Sequence, residues 1–462
     1  MVRRRPLPPR TRASRERGFT LVELLVAMAA GLTVSMAAFL LSKNATRFFQ
    51  NEARASASHL AATLGLNRIV ADLQRAAHQS SPNVQRDPFL CGDIDTWPEG
   101  LKRLAGVTIV QDGSMDGSGV DQLTANGLSP DALIIGGSFN TTEQFYFNSI
   151  NCTAGGCVVN IDPFSGAVQR TLARANGGGA SLNDIFRPNR FLRLKILGQS
   201  KYMYGVIQGT TVAGDPIHTI QVTLMATYGL PQLQTFGDCG VTTGFNGTGG
   251  FANPVSRVRY DIRSLAGHPT YGALVGPAYP GDPAAAADVE RMTGDSGRTE
   301  LVRVELDENG GEIPATLELV AEYAVDLKFG IVTAEESGLP GVTNPQLTRY
   351  PITATNNAAV YDRAGDNTTA GAVPERIRAV QVRLSTRTRA PDRDVNLPFD
   401  ADDPAGPVTG PDGRRYRFLI PGVVDGVSTL DNTPPAGSPP VYARMRTLYA
   451  DVALPNQAYV PW

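Results

Sequence analysis

Histidine is scarce in this chain: four among 462 residues, His59, His78, His218 and His268. No G-x-S-x-G, phosphate-loop or H-E-x-x-H pattern accompanies them, so no catalytic constellation is legible and no enzyme activity is expected. The glycine-rich stretch 243–250 has neither the lysine nor the strand-turn-helix context of a phosphate cradle and reads as a plain loop. Basic residues are sparse outside the start of the chain. The first 18 residues hold seven arginines and one glutamate; the rest of the chain has 35 basic and 43 acidic residues, a formal net charge of −8. Such a balance leaves no footprint for nucleic acid. Proline, 33 residues in all, is missing from Phe19 to Ser81. Charge is missing from Phe19 to Ser42 apart from Glu23.

The last two absences define a helix. Phe19 to Ser42 spans 24 residues, which at ~1.5 Å per residue gives ~36 Å, enough to cross a bilayer core of ~30 Å. The arginine-rich leader stays on the cytoplasmic side by the positive-inside rule, with the rest of the chain across the membrane. A secretory signal peptide is the bland alternative, with cleavage near Ala27-Met28-Ala29 or Ser35-Met36-Ala37. The apolar run is long for that, and the helical pattern continues beyond it. Phe49, Ala53, Ala57, Leu60, Leu64, then Ile69 or Val70, Leu73 and Ala77 recur at three- and four-residue steps, with Asn51, Arg54, Ser58, Arg68 and Asp72 on other faces. Pro82 marks the stop, so one helix of about 60 residues is expected, apolar first and amphipathic after. An ionised group in hydrocarbon is costly and is a candidate functional residue by default, which singles out Glu23.

Beyond Pro82 the pattern becomes short alternating runs between turn residues. Leu192, Leu194 and Ile196 alternate with Arg193 and Lys195; Val258, Tyr260 and Ile262 with Arg259 and Asp261. Val302, Val304 and Leu306 alternate with Arg303 and Glu305; Val380, Val382 and Leu384 with Gln381 and Arg383. Asp307 to Gly311 (Asp-Glu-Asn-Gly-Gly) suits a tight hairpin turn. The fold expected is α+β, a twisted antiparallel sheet packed on the amphipathic half of the helix. Residues 275–299, 334–373, 390–415 and 431–440 read as loop insertions.

The four cysteines allow three pairings. Cys152 and Cys157 flank Thr-Ala-Gly-Gly, which could close a small disulfide loop and leave Cys91 with Cys239. Free thiols or a metal site are the alternatives, though a zinc site wants paired C-x2-4-C spacings. Asp112, Asp116 and Asp121 space three carboxylates along a Gly/Ser-rich loop, hard oxygen ligands of the kind that hold Ca²⁺, but without EF-hand spacing or its glutamate.

Gly18-Phe19-Thr20-Leu21-Val22-Glu23-Leu24, with its basic leader, resembles the processing site of the type IV pilin and type II secretion pseudopilin superfamily. The resemblance implies cleavage by a prepilin peptidase between Gly18 and Phe19, methylation of the new Phe19 amine, and an assembly role for Glu23. An amine and a carboxylate that are each expensive in apolar surroundings offset part of that cost when paired between neighbouring subunits. It implies residues 1–18 as a cleaved leader, 19–81 as the helix and 82–462 as a β-rich domain; by its length that domain is either one lobe or two, about 82–250 and 251–462. Ser129 to Ile135, Arg257 to Tyr260, Leu319 to Phe329, Arg378 to Leu384 and Arg446 to Asn456 resemble, in order, segments of PilW-type minor pilins, and GspJ-type pseudopilins share much of that layout. The implied function is a minor pilin of a type IV pilus, held in the bacterial inner membrane with its domain periplasmic and then built into a pilus, at its tip or cell surface. The implied partners are the peptidase, major and other minor pilins, the inner-membrane assembly platform and a tip adhesin. Alternatives are a GspJ-like pseudopilin, an adhesin using the insertions, and a membrane-anchored periplasmic enzyme, for which only unassigned Asp, Glu, Ser and Tyr speak.

Overall fold

The computed structural model describes residues 20–113, 123–124, 126–153, 155–174, 179–214, 216–242, 249–265, 268–272, 298–335, 345–353, 357–389, 416–420, 423–424, 427–428 and 442–458. Two compact units result, Met1–Arg54 and Ala55–Trp462. Helix α1, Leu21–Leu73, is uninterrupted because no proline breaks it. It closes earlier than Pro82: Ala77 and Gln79 take left-handed backbone angles (φ 58° and 51°), and the chain turns there. His78 therefore lies beyond the helix.

In the second unit the strands are antiparallel. One sheet runs β1 (Val107–Val110), β2 (Ala132–Gly137), β8 (Gly250–Arg263), β9 (Glu300–Leu306), β10 (Glu318–Ala321). The first half of β8 also closes a six-stranded barrel with β3 (Phe145–Thr153), β4 (Gly156–Ile161), β7 (Thr219–Leu224), β6 (Met203–Ala213) and β5 (Phe191–Ile196). In it Ala252 pairs with Phe145 on one side and Leu194 on the other. A second sheet runs β12 (Gln346–Tyr350), β11 (Ala324–Glu335), β13 (Ile377–Arg387), β17 (Tyr442–Ala453), β14 (Arg417–Leu419). The two-residue strands β15 (Val423–Val424) and β16 (Val427–Ser428) form a separate pair. The turn at Asp307 is made as its residues ask, with the Asp307 carboxylate accepting from the Asn309 and Gly311 N–H groups at 2.9 and 2.7 Å.

Two main cores form. Leu66, Ile69 and Leu73 of α1 join Val258, Tyr260, Leu301, Phe329, Val382 and Leu384 from both sheets. The barrel interior is separate, built on Phe145, Phe147, Leu194, Ile207 and Val222 and covered by helices α2 (Gly166–Arg174) and α3 (Ala180–Ile185). The boundary expected near residue 250 falls at the first residue of β8, which serves both barrel and sheet, and the first core takes residues from before and after it. The expected loop 334–373 also differs: β11 continues to Glu335, β12 comes next, and helix α4 (Ala358–Ala364) buries Val360 and Ala364 in the first core. Its small polar composition hid an apolar pair at helical spacing. Most of 275–299, and all of 390–415 and 431–440, lie outside the described residues.

The helix meets the sheets through an unexpected face. Ala55, Ser58, Ala62, Leu66, Ile69 and Asp72 are buried, with Gly65 allowing close approach: a Cβ there would sit 2.9 Å from Ala321 Cβ. Ser58 shares a hydrogen bond with Thr386 at 2.9 Å. The Asp72 carboxylate accepts from Arg303 Nε at 2.8 Å and Tyr260 O–H at 2.7 Å, all buried. Similar pairs, Arg190–Glu305 and Arg383–Asp326, bury the polar sides of β9 and β13.

Removing one partner of a buried ion pair strands the other, so Asp72→Ala is expected to cost about 3–5 kcal/mol, read as a lower urea midpoint. A pH effect is expected at His78. Burial, and more weakly the neighbouring Arg75, holds its imidazole below the ordinary 6.5. The unfolded chain thus takes up a proton first as pH falls, and the stability present above 6.5 is lost below it. Melting temperatures between about pH 8 and 5 should fall on acidification, with a shallower fall for His78→Gln.

Candidate functional site

The first turn of α1 is built around its one acidic residue. Thr20 is the N-cap: its C=O accepts from the Leu24 N–H at 3.2 Å, and its Oγ1 accepts from the Glu23 N–H at 3.2 Å. Glu23 Oε2 reaches back to the Thr20 N–H and O–H, each at 3.0 Å. This reciprocal arrangement is a capping box, legible as Thr-x-x-Glu before an apolar run, although Glu23 stood out in the sequence only for its charge. It satisfies backbone donors that would otherwise be orphaned at a helix start. Gly18 and Phe19, the expected cleavage pair, lie outside the described residues.

Further along the first unit, the large apolar side chains are exposed, among them Leu21, Leu25, Leu32, Phe39, Leu41, Phe48 and Phe49. Helix α1 is long and apolar enough to cross a membrane. Thr33, inside the apolar run, suits that setting, since its O–H donates to the Ala30 carbonyl at 2.8 Å.

In the second unit the first part of the apolar stripe expected to cover the domain faces away from it. Ala57, Leu60 and Leu64 are exposed, Leu60 and Leu64 at 58% each, while the expected polar positions Ser58 and Asp72 are buried. Ile69 and Leu73 of that expected stripe are buried. The helix thus carries two useful faces there. The sequence showed the stripe but not that alanines, a serine and a glycine form the tighter contact.

The remaining candidate positions hold other contacts. Cys91 is bonded to Cys239 and Cys152 to Cys157, the second pair facing each other across the β3–β4 hairpin. Asp112 lies 3.3 Å from Lys328 Nζ, while Asp116 and Asp121 lie outside the described residues. Among the described residues no group of three His, Cys, Asp or Glu side chains gathers as a metal site. The described members of the glycine-rich stretch, Gly249 and Gly250, lead into β8.

A capped apolar helix with an exposed flank thus precedes an antiparallel β-rich domain, an α+β fold. Residues 13–39 match the prokaryotic N-terminal methylation motif. The motif is a type IV prepilin-like signal and indicates a type IV pilin-like protein, of a pilus or a pseudopilus. It implies processing by prepilin peptidase and assembly into such a filament, and with α1 it indicates single-pass membrane anchoring. Neither a curated protein nor a solved structure matches the chain.

Loss of the cap should loosen the helix start. Thr20→Ala is expected to cost about 1 kcal/mol locally, seen as faster amide exchange at Glu23 in detergent micelles.

Proposed function

We propose that this chain is a PilW-like minor pilin of a type IV pilus. Prepilin peptidase cuts between Gly18 and Phe19 and methylates Phe19. The protein waits in the inner membrane with its β-rich domain periplasmic, then enters the pilus or its priming and tip complex with other minor pilins, the major pilin and the assembly platform. No catalytic chemistry, cofactor or metal is assigned to it. The observation that carries this reading is the coincidence of the methylation motif with a helix whose apolar side chains are uncovered at Leu60 and Leu64. An exposed apolar stripe on a filament-type helix asks for a neighbouring helix. Glu23 is the proposed partner of the mature N-terminal amine across the subunit contact, and would then exchange its capping bonds for a charge pair.

A pseudopilus subunit is the second reading, supported by the same motif, which serves both filaments. Adhesion through the insertions is a third use, resting on their length alone.

Mass spectrometry of the mature protein tests the reading. The expected start is Phe19 carrying one extra methyl group; a start at Ala30 or Ala38 would overturn it. Glu23→Ala and the double variant Leu60→Lys, Leu64→Lys are expected to be processed normally. Incorporation into filaments should drop on the order of tenfold, the equivalent of about 1.4 kcal/mol. Loss of piliation on deletion favours the pilus, and loss of protein secretion with intact pili favours the pseudopilus.

A further inference from the structure

Asp131 precedes β2 and is fully buried. Its backbone N–H donates to the Leu327 carbonyl of β11 at 2.8 Å, which fixes it beside the next residue, Lys328. Lys328 Nζ donates to Asp131 Oδ1 at 2.8 Å and to Asp112 Oδ1 at 3.3 Å. The Tyr361 O–H, from α4, reaches both Asp131 oxygens, at 3.2 and 3.0 Å, and the Asp112 N–H donates to Asp131 Oδ1 at 3.2 Å. Donors from three separate segments thus surround one carboxyl group. Burial pushes the Asp131 carboxyl up, with Lys328 opposing, which favours the proton-bearing form that can lose hydroxyl.

A largely covered amine against a fully buried carboxyl group, with donors on both carboxyl oxygens and a second carboxylate on the amine, has the parts of an acyl transfer. We propose that Lys328 and Asp131 condense to an intramolecular isopeptide bond. A proton passes from the ammonium to the Asp131 carboxylate along their hydrogen bond. The Nζ lone pair then attacks Cγ, and the carbonyl pair moves onto Oδ2, held by the Tyr361 O–H at 3.0 Å, while Oδ1, which took the proton, becomes the hydroxyl that departs. Asp112 takes the proton released from nitrogen and returns it to the departing hydroxyl. The Cγ–O bond breaks, the Cγ–Nζ amide forms, and one water leaves. No oxidant, metal or co-reactant enters. The product ties the start of β2 in one sheet to β11 in the other, a covalent bond that reductants do not open.

Without condensation the same geometry is an ion pair, and the two states differ in mass by one water. Intact-mass spectrometry of the reduced full chain should show wild type one water lighter than its amino-acid composition. Trypsin should release a branched peptide joining Leu104–Arg170, which holds Asp131, to Val304–Arg349, uncut at Lys328. Lys328→Arg keeps the cation but cannot form this amide and should run at full mass. Asp112→Asn should lose water about a hundredfold more slowly after refolding. Wild type at full mass with ordinary cleavage after Lys328 overturns the proposal, as does a water loss that survives Lys328→Arg. A water loss in Asp112→Asn at the wild-type rate overturns the role of Asp112 as base.

Discussion

One carboxylate near the end of α1 governs how the second unit is built. Asp72 is buried with Arg303 and Tyr260, which are cross-strand partners on β9 and β8. The pair fixes which helical face meets the sheet, because a one-residue rotation would carry Asp72 into apolar surroundings without its donors. The face chosen is consequently not the most hydrophobic one. It is a face of alanine, serine and glycine that comes close to the sheets, and the leucines at 60 and 64 are left over. Stability and availability for assembly are divided between two sides of one helix.

Much of the architecture was legible in the sequence. The proline-free run declared the helix, and the alternations around residues 194, 260, 304 and 382 each fall inside a strand. The Asp307 turn came directly from its residues. What escaped had physical causes. Period alone cannot tell which of two small-residue or apolar stripes is buried, because the choice is made by partners distant in the chain, such as Thr386 and Arg303. The charged residues that alternate with the apolar ones on β8, β9 and β13 are paired under cover at Asp261 with Arg259, at Glu305 with Arg190 and at Arg383 with Asp326, pairings the alternation alone does not reveal. The capping box at Thr20 was legible in its spacing, but the cost of a charge in an apolar run eclipsed the local hydrogen bonds of Glu23. The helix at 358–364 was hidden in a composition that resembles a loop.

Conserving hydrogen bonds across the barrel explains another part of the fold. Closure through β8 leaves those six strands without a free edge, and an exposed edge is a template for unwanted pairing. The two open sheets, by contrast, end on β1 and β10 and on β12 and β14.

The route of the chain through β8 sets how the barrel joins the rest of the second unit. β2 and β8 are antiparallel neighbours, with Gly137 opposite Ser256, and the simplest link between two such strands is a hairpin turn. Here the link is more than a hundred residues long, with its own core, one disulfide inside it and a second that ties it back to Cys91, ahead of β1. Loop closure grows only slowly more costly with length, and a loop that folds on itself recovers the cost internally. The barrel is in this sense a hairpin loop grown into a module. It enters and leaves the sheet between one strand and the next, and it is tied to the rest by the Cys91–Cys239 bond, the Arg190–Glu305 pair and the apolar cluster of Phe191, Tyr202 and Tyr204 with Trp97 and Leu101.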